Sequence, residues 1–442
     1  MKNILTIPAA LILAASLLET SGLGQSDHAR RIAASFRETQ PKYVTDILVT
    51  KPDYVVFAPK ANLDVCGDTY NDHFQVFDKP DGTLFAVWTQ ATREGFSDHH
   101  IMFSRSADKG LTWTAPRALA GSLNRVNPQL LASWQQPMVS RSGRIYVLWN
   151  QQVTSRGPHC GLMFGIFSDN NGDTWSAPQL VPMKRSKWDD PDPTVPPSWC
   201  NWQRPLRLGK DGRYLVGVSR HAPDPKTKRG RCTIEFLQFD NIDDNPAVKD
   251  IQLSWFSGDD DVLVVEHERF GSACEEASIV KLPDGRLFAL MRTCGGYPYW
   301  SVSGDDGRSW SRPKPLRDRD GGKPYLHPRS PCPIYDRKGP EAASGDYFAF
   351  VHNTFDFQGE REYQNRGPLF LIAGRFQPGA EQPIWFAPMQ LFVDRPGGNS
   401  FYCSSTVVDG KTILWYPDKK FYLLGRVIGD EWFKHWDRPS SR

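Results

Sequence analysis

An eight-residue stretch, SADKGLTW at Ser106–Trp113, occurs three times in this chain with small changes. The other copies are SDNNGDTW at Ser168–Trp175 and SGDDGRSW at Ser303–Trp310. All three fit the pattern S-x-D-x-G-x-T-W, with Asn170 and Ser309 as conservative departures. The Asp or Asn side chain can bond the backbone of its own turn, and Gly can adopt the left-handed conformation. We therefore expect three structural turns, each with a Trp that packs between neighbouring elements, and no catalytic role for their aspartates.

A longer repeat surrounds these turns, in which an apolar run, a Gly-containing turn and a second apolar run recur six times. The six turns and following runs are Asp81-Gly82 with TLFAVW, Ser142-Gly143 with RIYVLW, Asp211-Gly212 with RYLVGV, Asp284-Gly285 with RLFALM, Ser344-Gly345 with DYFAFV, and Asp409-Gly410 with KTILWY. The glycines lie 61, 69, 73, 60 and 65 residues apart. Such turns predict β-hairpins, because Gly accepts the positive φ that the turn imposes. Six of them predict an all-β, six-bladed β-propeller, closed by Tyr54–Phe57 or Phe421–Val427.

Composition agrees with a globular all-β chain and argues against several partners. The 442 residues include 15 Trp and 25 Phe, which suit short aromatic strands between tight turns. The net charge is only +3 and no long basic run occurs, so neither nucleic acid nor an anionic membrane is expected as a partner.

The N-terminus has the features of an export signal. Lys2 precedes an apolar run from Ile4 to Leu18, and small residues follow. The run is too short to span a bilayer, so we predict a signal peptide over residues 1–24 and a single propeller domain over residues 25–442. The mature protein is then expected to be secreted or periplasmic.

Eight cysteines would then lie in an oxidising compartment, where disulfides can persist. Cys274 and Cys294 flank one predicted hairpin, and antiparallel pairing predicts a disulfide between them. The alternative is eight buried free thiols, because a chain of this length can be stable without disulfides. No CxxC pair or Cys/His cluster has zinc spacing, so the sequence indicates no metal site and no cofactor.

The topology predicts where a site must lie. In each blade the start of the first strand and the end of the second meet at one end, beside the central channel. Polar and aromatic residues fall there in every predicted blade: Asp72-His73, Trp134-Gln135-Gln136, Asn201-Trp202-Gln203-Arg204, Glu275-Glu276, His327-Pro328-Arg329 and Tyr402, with Arg292 and Tyr416 at second-strand ends. Such convergence in one concavity is typical of a sugar site, so Gln136, Trp202 and Arg204 are candidate substrate contacts.

The S-x-D-x-G-x-T-W turns match the Asp boxes of BNR-repeat propellers, and the chain resembles the sialidase superfamily over nearly its whole mature length. In that family a Glu activates a Tyr nucleophile, an Asp is the acid/base and three arginines bind the substrate carboxylate. The stretch EEASIVKLPDG at Glu275–Gly285 looks like the family's Glu strand. The resemblance implies Tyr402 as nucleophile, with Tyr416 as the alternative, and Glu276 or Glu275 as its base.

The resemblance also implies the remaining roles. Asp98 lies at the family's offset before an Asp box and is the expected acid/base. Arg292 and Arg329 look like the second and third carboxylate-binding arginines, and Arg93 resembles an arginine in the loop after the first hairpin.

One departure affects the substrate. Where the family carries its first clamp arginine, this chain has Asp72, whose charge should repel a carboxylate, followed by His73. We therefore expect a sugar other than sialic acid, acidic or deoxy. The leading interpretation is an exo-glycosidase acting on a glycan. The alternatives are a polysaccharide lyase or rhamnosidase that uses His73, and a propeller that binds glycans without catalysis.

Overall fold

The computed structural model describes residues 23–39, 49–60, 67–121, 131–152, 159–209, 211–223, 230–339, 342–359, 365–399 and 401–434. It confirms the six-bladed all-β propeller, since six antiparallel sheets follow one another along the chain. Most of the predicted signal peptide lies outside the described residues, so export stays a prediction. No helix in the described ranges has the length and apolar character that a membrane crossing needs.

Within the part of the chain that the structure describes, one α-helix precedes the blades and three short 3-10 helices lie among them. Helix α1 (Leu23–Ser35) begins before the predicted cleavage point near Gln25. The 3-10 helices are Ile242–Asp244, Val248–Asp250 and Asp430–Phe433.

Blades 1, 2 and 4 are four-stranded sheets whose strands pair in chain order. Blade 1 contains β2 (Tyr70–Asp78), β3 (Leu84–Ala91), β4 (His100–Ser106) and β5 (Arg117–Gly121). Blade 2 contains β6 (Ala132–Val139), β7 (Ile145–Gln152), β8 (Gly161–Ser168) and β9 (Gln179–Val181). Blade 4 contains β17 (Cys274–Lys281), β18 (Leu287–Thr293), β19 (Tyr299–Ser303) and β20 (Lys314–Pro315).

Blades 3 and 5 are five-stranded, and a two-stranded sheet of β15 (Glu266–His267) and β16 (Gly271–Ser272) lies between blades 3 and 4. Blade 3 contains β10 (Trp199–Cys200), β11 (Leu206–Arg207), β12 (Tyr214–Pro223), β13 (Gly230–Phe239) and β14 (Leu253–Phe256). Blade 5 contains β21 (Ile334–Asp336), β22 (Asp346–Val351), β23 (Leu369–Phe376), β24 (Ile384–Phe386) and β25 (Gln390–Val393).

Blade 6 closes the ring with strands from both ends of the described chain. It contains β26 (Ser404–Val408), β27 (Lys411–Asp418) and β28 (Tyr422–Val427), and β1 (Tyr54–Phe57) pairs antiparallel with β28. The two segments proposed to close the ring therefore pair with each other in one sheet.

Six hydrophobic clusters occupy the six interfaces between adjacent blades. Strand β3 shows how a second strand supplies two of them, because successive side chains on a strand point to opposite faces. Phe85 and Val87 pack toward blade 2, whereas Leu84, Ala86 and Trp88 pack toward blade 6. Both faces are buried, which explains why these runs are continuously apolar rather than alternating.

The Asp boxes form the turns between third and fourth strands, as predicted. In the first box, Asp108 Oδ1 accepts hydrogen bonds from Ser106 Oγ and from the Thr112 backbone N–H, each at 2.8 Å. The Gly110 N–H donates to Ser106 Oγ at 2.8 Å, and the Trp113 indole donates to the Gly110 carbonyl at 3.1 Å. The box therefore satisfies its own polar groups and leaves the Trp ring for packing.

Each box packs against the preceding blade. The Trp113 ring lies edge-on to Trp415 of blade 6, and Trp310 stacks on Phe236 of blade 3 with ring centroids 4.2 Å apart. The predicted packing of the box tryptophans between blades is confirmed.

The predicted disulfide between Cys274 and Cys294 is wrong, since none of the seven cysteines among the described residues forms a disulfide. Strand register pairs Cys274 with Thr293, so the following Cys294 points to the other face of the sheet. The Cys274 thiol instead contacts the Met291 sulfur at 3.4 Å, and that of Cys294 donates to the Gly271 carbonyl at 3.2 Å.

Candidate active site

A cavity of about 1100 Å³ lies at the end of the propeller where first strands begin and second strands end. All six blades contribute to its wall: Tyr70, His73, Glu94, His99, Trp134, Asn150, His159, Cys200, His221, Glu275, Glu276, Arg292, Arg329, Arg366, Tyr402 and Lys420 are among the lining residues. No residue of the three Asp boxes lines it. The cavity is large enough for several sugar units, since pockets for drug-sized ligands occupy about 300–1,000 Å³.

Three wall residues sit in β-bulges of inner strands. The bulges interrupt the register of β2, β6 and β17 and contain His73, Trp134 and Glu276, whose φ angles are +52°, +57° and +56°. The left-handed backbone conformation costs residues other than Gly about 1–2 kcal/mol each. The Glu276 N–H donates to Ser219 Oγ at 2.8 Å, so the preceding blade helps to hold the bend. These bulges aim three different chemical groups into one cavity.

A phenol, a carboxylate and a guanidinium form a closed triangle in the cavity. Tyr402 Oη donates to Glu276 Oε1 at 2.9 Å, and Arg292 Nη1 lies 2.7 Å from Glu276 Oε2 and 2.9 Å from Tyr402 Oη. Trp202 packs edge-on against the Tyr402 ring, with centroids 5.5 Å apart. Burial and the nearby Glu276 charge raise the pKa of Tyr402 well above its ordinary value. The phenol therefore stays protonated, and its hydrogen-bond acceptor is a carboxylate able to take the proton.

Glu275 occupies the position between the two predicted clamp arginines. Its Oε1 lies 3.1 Å from Arg292 Nε and 2.6 Å from Arg329 Nε. Burial alone would raise the pKa of Glu275, but the two guanidinium groups hold it well below its ordinary value. A carboxylate of the protein itself thus neutralises the arginine pair.

A lysine lies between two acidic residues at one side of the cavity. Lys420 Nζ lies 3.0 Å from Asp72 Oδ2, 2.8 Å from Glu94 Oε1 and 5.3 Å from the centre of the Tyr402 ring. Burial raises the pKa of Asp72 to about 6, although Lys420 opposes that shift. Asp72 is fully buried, is paired and does not line the cavity. Asp72, predicted among the substrate-binding residues, therefore faces Lys420 rather than the cavity, and its repulsion of a ligand carboxylate stays a prediction.

His73 is a neutral imidazole beside the phenol. Its ring centre lies 4.8 Å from that of Tyr402, and its Nε2 accepts a hydrogen bond from the Trp134 indole N–H at 3.0 Å. Burial, together with the Lys420 charge, lowers the pKa of His73 well below its ordinary value. The proton of the neutral ring therefore belongs on Nδ1, and none of the described residues offers a hydrogen-bond partner within reach of that buried atom.

A second cluster combines imidazoles and thiols on another part of the wall. The rings of Trp134, His159 and His221 form a stack, with centroid separations of 4.7 Å and 4.1 Å. His221 Nε2 lies 3.3 Å from Cys200 Sγ, and its Nδ1 lies 3.0 Å from Cys232 Sγ. Burial lowers the pKa of His221 to about 4. Among the described residues, two groups of side chains are close enough together to hold a metal ion. One is His159, Cys200 and His221, and the other is His221, Cys232 and Glu275.

Two predicted residues of the first-blade loop lie outside the cavity wall. Asp98, the expected acid/base, is buried and accepts hydrogen bonds from the Thr92 backbone N–H and hydroxyl. Arg93 is exposed, and its guanidinium lies over the Phe96 ring, 3.9 Å from the ring centre. The same loop places Glu94 on the wall instead.

Four more predicted residues do not line the cavity. Gln136 is fully buried within β6, and Tyr416 belongs to the core between blades 5 and 6. Trp202 lies behind the wall, where its indole donates to the Glu276 carbonyl at 3.2 Å. The Arg204 guanidinium lies 3.6 Å from the carboxylate of Asp78, the last residue of β2, at the opposite end from the cavity. The inner strand of blade 3 begins at Trp199, so by Arg204 the chain has already moved away from the cavity.

The wall also contains residues that the sequence did not single out, notably Glu94, His159, Arg366 and Lys420. Arg366 precedes β23, and its Nη2 donates to the Arg329 carbonyl at 2.7 Å. Lys420 lies in the turn between β27 and β28, a position that could have been found by asking which turns return to the cavity end. The others come from long connections whose path the repeat does not specify.

Six blades, three Asp boxes and a cavity at the Tyr402 end define a six-bladed β-propeller of the Asp-box type. A family model described as a BNR repeat-like domain matches residues 82–334, more than half of the chain. The chain therefore belongs to the BNR repeat-like family. A comparison with curated protein sequences gave no match.

Solved structures share the fold at low sequence identity. The NanB sialidase from Streptococcus pneumoniae aligns with a TM-score of 0.57 and 13% identity, over 84% of this chain and 69% of that one. A sialidase from Trypanosoma rangeli aligns with 0.54 and 14%, over 86% and 58%. An alpha-L-arabinanase from Penicillium chrysogenum aligns with 0.54 and 13%, over 86% and 98%. Such likeness establishes the fold, and the site has to support the activity.

Proposed function

We propose that this protein is a glycosidase in which Tyr402 is the nucleophile and Glu276 is its general base. The observation that carries the proposal is the hydrogen-bonded triangle of Tyr402, Glu276 and Arg292 in the cavity. A phenol needs a proton acceptor to attack near neutral pH, and the Tyr402 phenol has a carboxylate 2.9 Å away. The sialidases and the arabinanase with the same fold are consistent with chemistry on glycosidic bonds.

In the proposed reaction, Tyr402 Oη forms a bond to the anomeric carbon while its proton passes to Glu276. The bond to the leaving oxygen breaks, and an acid protonates that oxygen. A water then attacks the anomeric carbon of the glycosyl-tyrosine intermediate and gives one proton to the conjugate base of the same acid, while the bond to Tyr402 Oη breaks. The proton returns from Glu276 to the phenolate, so the sugar leaves with its configuration retained. Arg292, bonded to both groups, is placed to stabilise the negative charge that moves between them.

Glu94 is the proposed acid, in place of Asp98. It lies in the first-blade loop and lines the cavity. Its carboxylate is 2.8 Å from Lys420 Nζ, which in turn lies 5.3 Å from the centre of the Tyr402 ring. Burial would raise the pKa of Glu94, but Lys420 lowers it below its ordinary value. Protonated Glu94 becomes more abundant as pH falls, so the proposal favours activity at acidic pH.

The proposed substrate is a terminal sugar without a carboxylate at the arginine pair, such as a deoxy sugar. Glu275 already bridges Arg292 and Arg329, so a substrate carboxylate would have to displace a buried, doubly paired carboxylate of the protein. Two more features disfavour the binding of a substrate carboxylate: the first clamp arginine is missing, and Lys420 is already paired with Asp72. Sialosides should therefore be poor substrates.

The test is turnover of chromogenic glycosides, comparing sialosides, uronides, rhamnosides and arabinosides. Tyr402→Phe and Glu276→Gln should each lower kcat by at least about 10²- to 10⁴-fold on the best substrate. Tyr416→Phe is the control, because Tyr416 is a buried tyrosine of the same blade outside the cavity. Full activity of Tyr402→Phe would refute the nucleophile, and efficient sialoside turnover would refute the substrate assignment.

A second candidate reaction is proton abstraction beside a uronate, with His73 as base and Tyr402 as acid. It is favoured by the neutral imidazole 4.8 Å from the phenol ring and by the absence of Asp98 from the wall. A lyase releases an unsaturated uronate, which absorbs in the ultraviolet, whereas a hydrolase does not. Binding of glycans without either product would leave only the non-catalytic alternative.

A further inference from the structure

We propose that His159, Cys200 and His221 form a binding site for one transition-metal ion of the zinc class on the cavity wall. Two imidazoles and one thiolate are a ligand set that Zn²⁺ accepts, and three protein ligands leave a fourth position open. Because sulfur and imidazole ligands disfavour Mg²⁺ and Ca²⁺, the same set argues against the hard cations. This inference does not depend on the proposed glycosidase mechanism.

The backbone holds the three residues together. The Trp199 N–H donates to the His159 carbonyl at 3.0 Å, and the His221 N–H donates to the Ser198 carbonyl at 2.9 Å. The short strand that contains Cys200 is thus bonded on one side to the His159 segment and on the other to β12. One ligand atom from each side chain lies within 4.8 Å of the other two.

The surroundings of His221 direct its Nε2 toward the site. Its Nδ1 lies 3.0 Å from Cys232 Sγ, and Arg329 Nη2 donates to the same sulfur at 3.3 Å. With Nδ1–H donated to Cys232, the Nε2 lone pair is available on the Cys200 side, 3.3 Å away. Outer hydrogen bonds of this kind fix the orientation of metal-binding imidazoles.

Metal binding requires one rearrangement, a rotation of the His159 ring. The His159 and His221 rings are stacked at an angle of 20°, and a metal ion has to lie close to the plane of each imidazole that binds it. Rotation of His159 away from Trp134 would bring its ring nitrogen to the ion. All three residues line the cavity, so the open fourth position faces solvent and any bound glycan.

The test is titration of the full chain with Co²⁺, in the presence of a non-thiol reductant, followed by Zn²⁺ competition. We expect a thiolate-to-cobalt charge-transfer band that saturates at one equivalent and disappears when Zn²⁺ is added. Cys200→Ser should abolish the band, whereas Cys332→Ser, a buried cysteine of the core between blades 4 and 5, should retain it. Absence of the band in the unaltered protein, or its retention in Cys200→Ser, would overturn the proposal.

His159→Gln provides a second test that keeps the thiol. Loss of an outer-shell partner alone weakens metal binding by about 10- to 100-fold, so loss of a ligand should weaken Co²⁺ binding by more than about 100-fold. Circular dichroism establishes that each variant is folded before titration. If Cys200→Ser does not fold, the comparison of His159→Gln with the unaltered protein decides, and equal Co²⁺ affinities would contradict the proposed ligand set.

Discussion

At the scale of single residues, the site is defined by which charges are already paired. Glu276 bonds the phenol and one arginine, whereas its neighbour Glu275 bonds two arginines and no phenol. Adjacent residues in a strand point to opposite sides, but the bulge at Glu276 brings both carboxylates to the same cavity. The two glutamates thus have different partners, and in the proposed mechanism Glu276 transfers the proton while Glu275 neutralises the arginine pair.

Glu94 provides the sharpest prediction at this scale. A general acid matters most when the leaving group is poor, so Glu94→Gln should lower kcat by about 10²- to 10⁴-fold for an alkyl glycoside and far less for a dinitrophenyl glycoside. The measurement is kcat for both substrates in the unaltered protein and the variant. Asp98→Asn is the comparison, because Asp98 lies in the same loop but not on the wall. A loss in Glu94→Gln that is equal for both leaving groups would contradict the role.

At the scale of elements, the Asp box joins blades as well as closing a turn. Gly172 of the second box has φ +78°, and a Cβ there would lie 2.4 Å from a ring carbon of Phe103 in blade 1. Its tight approach lets the box loop lie directly against the preceding blade. The same box position in blades 1 and 4 contacts Trp415 and Leu215.

Gly172→Ala should therefore lower the free energy of unfolding by about 1–3 kcal/mol more than Gly82→Ala. Both glycines have positive φ, +78° and +82°, but a Cβ on Gly82 meets no atom within 4 Å. The shared backbone strain cancels in the comparison, and the difference reports packing between blades 1 and 2. Urea unfolding of the two variants measures it, and equal destabilisation would show that the contact with Phe103 is unimportant.

At the scale of the whole molecule, the propeller gathers buried imidazoles near its cavity. Burial lowers the pKa of His99 and His352 to about 4, and of His73 and His327 well below 6.5. These side chains are neutral in the folded protein over a range in which the unfolded chain is protonated. These four histidines come from blades 1 and 5, so they lie near one cavity only because the ring of blades closes.

The protein should accordingly lose stability as pH falls from about 6.5 toward 4. In that range the unfolded chain binds more protons than the folded protein, so the free energy of unfolding falls by up to about 1.4 kcal/mol per pH unit for each such imidazole. Asp72, with its pKa raised to about 6, opposes the loss in part, because the folded state takes up that proton first. Urea midpoints between pH 7 and 4.5 test this, with His352→Gln expected to flatten the slope. Constant stability over the range would contradict the neutral, buried state of these histidines.

Several site residues could be predicted because their positions follow from the repeat. Tyr402 lies just before an inner strand, Glu276 and His73 lie within the first four residues of inner strands, and Arg292 lies next to the end of a second strand. The hairpin phase alone therefore predicts that they reach the cavity. Asp98 and Arg93 lie in a connection between strands, where the repeat does not determine the direction of a side chain. Glu94 of that same connection reaches the wall instead.

Local sequence patterns were sufficient to predict the six blades, the structural role of the Asp boxes and the end of the propeller that carries the cavity. These features depend on local pattern, since turn residues and two-residue periodicity act over a few positions. The three-dimensional arrangement was needed to establish that Glu275 neutralises Arg292 and Arg329, that Lys420 pairs with Asp72, and that Cys274 and Cys294 form no disulfide. It alone brought His159, Cys200 and His221 together, because they are distant in sequence and meet through the pairing of strands rather than through any spacing. Ion pairs and metal-ligand groups depend on side-chain direction after the ring closes, which a linear pattern does not contain.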